Sequence, residues 1–217
     1  PAPTLDLSQE QRAQVEAAFA EYEAAQSALA DRPEGLVTLA NFYRDRARPT
    51  EAQARYEDAI RLYPTFAPAY ANLADLLRQQ GRDADGARVL DRGLAALPAN
   101  AELHYANGLL LIRQKNYREA LVALGRAAEL APDNARFAYV YAVALQDSGK
   151  PGDAVAVLER AHAAHPNDPD ILFSLAATLM QQGDPDAARR YAQELMRVAP
   201  GYPNARELLR AVDPSAG

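Results

Sequence analysis

Apolar residues recur along the chain at helical spacing, and the whole pattern recurs with them. Pro64, Pro98, Pro132, Pro166 and Pro200 stand 34 residues apart at every interval. With this proline numbered position 32, the 34-residue units begin at Pro33, Ala67, Ala101, Ala135 and Pro169. Position 8 is always small (Ala40, Ala74, Gly108, Ala142, Ala176), and so is position 20 (Ala52, Gly86, Ala120, Ala154, Ala188). Position 11 is large throughout (Tyr43, Leu77, Leu111, Leu145, Leu179). Spacings of three and four residues put positions 4, 7, 8 and 11 on one face of a first helix, and 20, 24 and 27 on one face of a second. Small residues at 8 and 20 let the two axes approach, and large residues at 7, 11 and 24 fill the remaining space. The last unit exchanges sizes, with Ala192 at position 24 and Leu195 at position 27, which conserves core volume.

The punctuation agrees with this reading. Gly81, Gly149 and Gly183 occupy position 15, where a helix ends on a left-handed residue. Pro49, Pro151 and Pro185 occupy position 17, suited to the first turn of the second helix. The proline at position 32 stops that helix. Each unit is therefore helix, tight turn, helix, turn.

A 34-residue helix-turn-helix with this pattern resembles the tetratricopeptide repeat (TPR) family. The resemblance implies an all-α fold, a right-handed superhelical solenoid of helix-turn-helix units. Five units follow: 33–66, 67–100, 101–134, 135–168 and 169–202. Ala18, Tyr22 and Ala25 match positions 20, 24 and 27 one period upstream, so 8–32 reads as the second helix of a partial repeat. Ser8 with Glu10 and Gln11 reads as its N-cap. Residues 203–212 read as a capping helix with Arg206 and Arg210 outward, flanked by a linker at 1–7 and a tail at 213–217. The chain reads as a piece of a longer protein. The stretches 30–34 and 134–145 are also similar to TPR tails that follow bacterial multihaem c-type cytochrome modules. That similarity implies a periplasmic parent; otherwise the bacterial cytoplasm is expected.

Composition narrows the chemistry. Of 217 residues, 48 are Ala, the strongest helix former. The net charge is −6, against the basic excess of a phosphate-binding domain, so no nucleic-acid partner is expected. The longest apolar run, Phe137 to Leu145, has nine residues, about half of a membrane span. There is no Cys, hence no thiol nucleophile and no zinc-thiolate site. His162 and His165 are three apart with no evident third ligand, and they read as residues favoured at a helix C-terminus. Asn107 stands where position 7 is otherwise large and apolar, and reads as a satisfied polar residue. No cofactor, metal or catalytic set is expected, and the chain reads as non-catalytic.

The remaining candidate is a binding surface. In the TPR family, positions 2, 5, 9, 12 and 13 of the first helices line a concave groove. The resemblance places Tyr105, Leu109, Ile112 and Arg113 there, with Arg136, Tyr139, Val143, Phe173 and Met180 from the two later units. Tyr105, Tyr139 and Phe173 recur at position 5 and should form a ladder one repeat apart. Asn41 and Asn72 match the two Asn positions of TPR clamps that hold a C-terminal carboxylate. The clamp's basic positions are Val37, Glu102 and Ala106, so the charge-assisted bonds of that clamp are missing. Asn41 and Asn72 are kept as holders of a peptide backbone. The expected role is an interaction scaffold for an extended or helical peptide of another protein or of the parent chain. The alternative is a structural or assembly module, or an appendage of a larger protein, acting by self-contacts. The sequence leaves the oligomeric state open.

Overall fold

The computed structural model describes residues 8–27 and 32–213, with the side chains of residues 12, 26 and 27 excepted. The expected linker at 1–7, the join at 28–31 and the tail at 214–217 lie outside the described residues. Twelve helices cover most of the described chain, which falls into two compact units, 1–98 and 99–217.

The first unit holds α1 (Gln9–Ser27), α2 (Pro33–Asp45), α3 (Pro49–Leu62), α4 (Ala67–Gln79) and α5 (Asp83–Ala96). The second holds α6 (Ala101–Arg113), α7 (Tyr117–Leu130), α8 (Ala135–Asp147), α9 (Pro151–Ala164), α10 (Pro169–Gln181), α11 (Pro185–Val198) and α12 (Ala205–Val212). Consecutive helices pack as pairs, α2 on α3, α4 on α5, α6 on α7, α8 on α9 and α10 on α11. Within each unit first helices also meet directly, α2 with α4 and α8 with α10, so they form the inner layer of the stack.

The small positions make this possible. Ala40, Ala52, Ala142, Ala154, Ala176 and Ala188 are fully buried between paired helices. Gly108 of α6 is the tightest: a Cβ there would lie 2.6 Å from Leu124 Cγ of α7. Leu124, Leu158 and Leu195 fill the space beside these contacts.

One turn joins each pair. The amide of the residue after the left-handed position donates back to a carbonyl five residues earlier: Arg48 to Tyr43, Arg82 to Leu77, Asn116 to Leu111, Lys150 to Leu145 and Asp184 to Leu179, at 2.9–3.0 Å. Gly81, Gly149 and Gly183 sit at φ 74°, 73° and 81° in these turns. Ala47 (φ 55°) and Lys115 (φ 64°) hold the same conformation with a Cβ, which costs an L-residue roughly 1–2 kcal/mol. We therefore expect Lys115→Gly to stabilise the second unit by about 1 kcal/mol, the left-handed penalty outweighing the extra entropy of Gly in the unfolded chain. A raised urea midpoint for that unit checks it; an unchanged or lowered midpoint contradicts it.

The ends differ in detail from expectation. The Ser8 cap forms, with the Gln11 amide donating to Ser8 Oγ (3.2 Å) and the Ser8 amide to Gln11 Oε1 (2.9 Å). α1 holds to α2 through Phe19 and Tyr22, whose rings lie 4.6 and 4.4 Å from Phe42. Its Ala18 and Ala25 are exposed, because no helix among the described residues covers that face. α12 begins at Ala205, two residues later than the expected 203, because Asn204 turns left-handed (φ 60°) immediately before it. Arg206 and Arg210 do face solvent.

Candidate functional site

The second unit carries a cleft of about 820 Å³ where the N-terminal ends of α8 and α10 approach α6. Capping side chains set those ends. Asn134 Oδ1 accepts from the Phe137 amide (3.2 Å) and starts α8. Asp168 Oδ1 accepts from the Asp170 and Ile171 amides (3.0 and 3.1 Å) and starts α10. Such caps satisfy backbone donors that have no intrahelical partner. Both caps line the cleft, together with Tyr105, Asp133, Arg136, Tyr139, Val140 and Asp170.

The expected site residues divide into three groups. Tyr105, Arg136 and Tyr139 come together at the cleft, but with different duties. Tyr105 is buried, and its ring stacks on Phe137 with centroids 4.6 Å apart. Arg136 donates from Nε to the Tyr105 hydroxyl (3.1 Å) and holds its guanidinium 5.3 Å from that ring. Tyr139 is half-buried at the cleft wall. The position-5 ladder is therefore uneven. Tyr105 is covered by Phe137 of the next unit, and Phe173 leans on Tyr202 at 5.5 Å.

The second group continues along the same helix faces outside the cleft. Leu109 and Met180 are 36% and 37% exposed. Val143, at the same repeat position as Leu109, is half-buried, and Arg113 is exposed at the end of α6. Ile112 lies apart from the cleft. It lines a separate recess of about 590 Å³ with Tyr117, Leu121 and Ala144.

Asn41 and Asn72 form the third group, in the first unit. Asn41 is half-buried and accepts a 2.5 Å hydrogen bond from the Tyr56 hydroxyl. Burial pushes the Tyr56 hydroxyl up to about 12, so it stays a donor at neutral pH. Asn72 is half-buried on α4. Val37, at a basic position of the carboxylate clamp, is buried.

Asn134 and Asp168 line the cleft but were not among the expected site residues. Their signal was present, since Asn or Asp directly before a helix marks a cap. Tyr202 donates to Asp170 Oδ1 (2.5 Å). Burial, and then the Asp170 carboxylate, push the Tyr202 hydroxyl well above the usual tyrosine range, which keeps this bond intact at neutral pH.

The histidines have separate structural partners. His165 Nε2 donates to the Asp133 carbonyl (2.6 Å). His162 meets the Tyr191 ring edge-on at 5.4 Å and lies 3.7 Å from Glu194. Among the described residues no group of three His, Cys, Asp or Glu side chains could hold a metal ion. No described helix is long and apolar enough to cross a membrane.

Residues 43–110 and 145–212 match a model of the tetratricopeptide repeat, and 105–169 match a second model of the same repeat. The fold is similar to that of Pseudomonas aeruginosa PilF, with TM-score 0.68, 22% identity and 83% of each chain covered. It is similar to YrrB, a TPR protein with an unusual peptide-binding site, with TM-score 0.62 and 18% identity over 85% of this chain and 95% of that one. MamA from Desulfovibrio magneticus RS-1 gives TM-score 0.63 and 18% identity over 79% and 97%. At these identities the likeness is one of fold. No curated protein sequence matches the chain.

Proposed function

The chain belongs to the tetratricopeptide repeat family, and from that membership we propose that it is a non-catalytic scaffold whose first-helix face in the second unit binds an extended or helical peptide. Fold alone does not give function, so the reading rests on the site. Its single carrying observation is the cleft bounded by Tyr139 and Arg136, continued by Leu109 and Met180, apolar side chains partly open to solvent on helices that already bury another face. Exposed apolar surface beside fixed polar groups is the usual anatomy of a recognition surface. Asn41 and Asn72 belong to this reading as candidate backbone holders in the first unit.

Affinity capture with the full chain beside a Tyr139→Ala/Met180→Ser variant tests it. Neither side chain carries the core, so the variant should keep its thermal midpoint within a few degrees. Loss of a captured protein, with folding retained, supports the proposal. Equal capture by both chains contradicts it.

A second reading, assembly by self-contacts, is favoured by α1, where Val15 is 44% and Tyr22 38% exposed. A molecular mass that rises with concentration supports that reading. Attachment to a haem-bearing module belongs with it, and haem-binding motifs in the parent sequence would decide it.

A further inference from the structure

The cleft has a chemical polarity that specifies its occupant, given the peptide-binding reading above. Three carboxylates, Asp133, Asp168 and Asp170, line it against one guanidinium, Arg136. Arg136 spends its Nε on the Tyr105 hydroxyl, and none of the three carboxylates is ion-paired with it. The N-termini of α8 and α10 each contribute roughly half a positive charge. Together with Arg136 they offset the three carboxylates only in part, and the cleft stays net acidic. Asp168 and Asp170 each use Oδ1 within the chain, for the α10 cap and for Tyr202. Their Oδ2 atoms form no bond among the described residues.

The same faces change character toward their C-terminal ends. On α10, Asp170 is followed by Phe173 and then Met180; on α8, Arg136 is followed by Tyr139 and then Val143. From Asp170 to Met180 the helix rises by about 15 Å, at about 1.5 Å per residue. An extended chain covers that span in roughly four to five residues. Acidic end, aromatic middle and apolar end therefore lie along one surface.

We infer that the occupant is an extended segment with Arg or Lys at one end and a bulky apolar side chain four or five residues away. The cation meets the free carboxylate oxygens beside the Tyr139 ring, where hydrogen bonding to charge and attraction to the ring face act together. The apolar residue covers Val143 and Met180.

The probe is the peptide Ac-Arg-Arg-Ala-Ala-Ala-Leu-Leu-NH2, titrated into the isotope-labelled full chain and followed by amide chemical shifts. One control replaces both Arg by Glu, and another replaces both Leu by Ala. Asp168→Asn/Asp170→Asn is the matching variant, since Asn keeps both the cap and the acceptor for Tyr202. The expected result is saturable shifts at 134–139 and 168–173, weakened about fivefold or more by either control and by the variant, and weakened further by salt. Equal binding of the Glu peptide at the same amides overturns the inference and leaves the peptide-binding reading standing. Shifts confined to second helices, or none with any peptide, overturn both.

Discussion

Gly108→Val should destabilise the second unit by about 3 kcal/mol, roughly a hundredfold in its unfolding equilibrium. A Cβ at this position would lie 2.6 Å from Leu124 Cγ, 2.7 Å from its Cδ2 and 3.3 Å from the Leu124 backbone nitrogen. Two of those atoms are side chain and could turn aside, but Leu124 is fully buried and has nowhere to turn. The third is backbone, so α6 and α7 must part. Helix propensity works the other way and returns only a few tenths of a kcal/mol, because Val is itself a modest helix former. Gly108→Ala should cost less, and Leu124→Ala should partly rescue Gly108→Val, a coupling that a double-mutant cycle reads directly. Amide exchange along α6 and α7 is the suitable measurement, because two compact units need not unfold together. Protection unchanged by Gly108→Val contradicts the packing described here.

Tyr105→Ala should cost about 3 kcal/mol or more, whereas Tyr139→Ala should cost under about 1 kcal/mol. Both residues stand at position 5 of their units, so the contrast comes entirely from surroundings. Tyr105 is 9% exposed, stacks on Phe137 and accepts from Arg136. Its truncation empties a space that Phe137 cannot refill, and it frees a guanidinium that had a fixed partner. Tyr139 is half-buried at the cleft wall, and its truncation removes surface. Thermal midpoints of the two variants, measured side by side, test this. Equal losses contradict the division of the ladder into a seam residue and a cleft-wall residue.

That division marks the limit of what was legible in the sequence. The proline interval and the small residues at positions 8 and 20 led to paired helices, because both report on contacts repeated in every unit. Gly81, Gly149 and Gly183 disclosed the left-handed turns. Ala47 and Lys115 make the same turn without a glycine, because the surrounding helices impose it against local preference. The candidate site was legible by position and not by neighbour. Position 3 of the following unit is Phe137 after Tyr105 but Ile171 after Tyr139, and only the ring is placed to stack. Ile112 matched the groove pattern yet lines a different recess, because Leu121 and Tyr117 of α7 lie beside it. Asn134 and Asp168 read as caps, and their place at a cleft depended on how α6, α8 and α10 stack.

The central claim is that the first-helix face of the second unit is where a partner docks. A photo-cross-linking residue at position 139, compared with one at Val122, tests it most directly. Val122 is 72% exposed on α7, a second helix, so both probes are reachable by solvent and either can be tolerated. Position 139 should cross-link to one contiguous segment of another polypeptide, basic at one end and apolar at the other, and position 122 should give none. Cross-links from both positions alike, or from 139 only to further copies of the same chain, would contradict it.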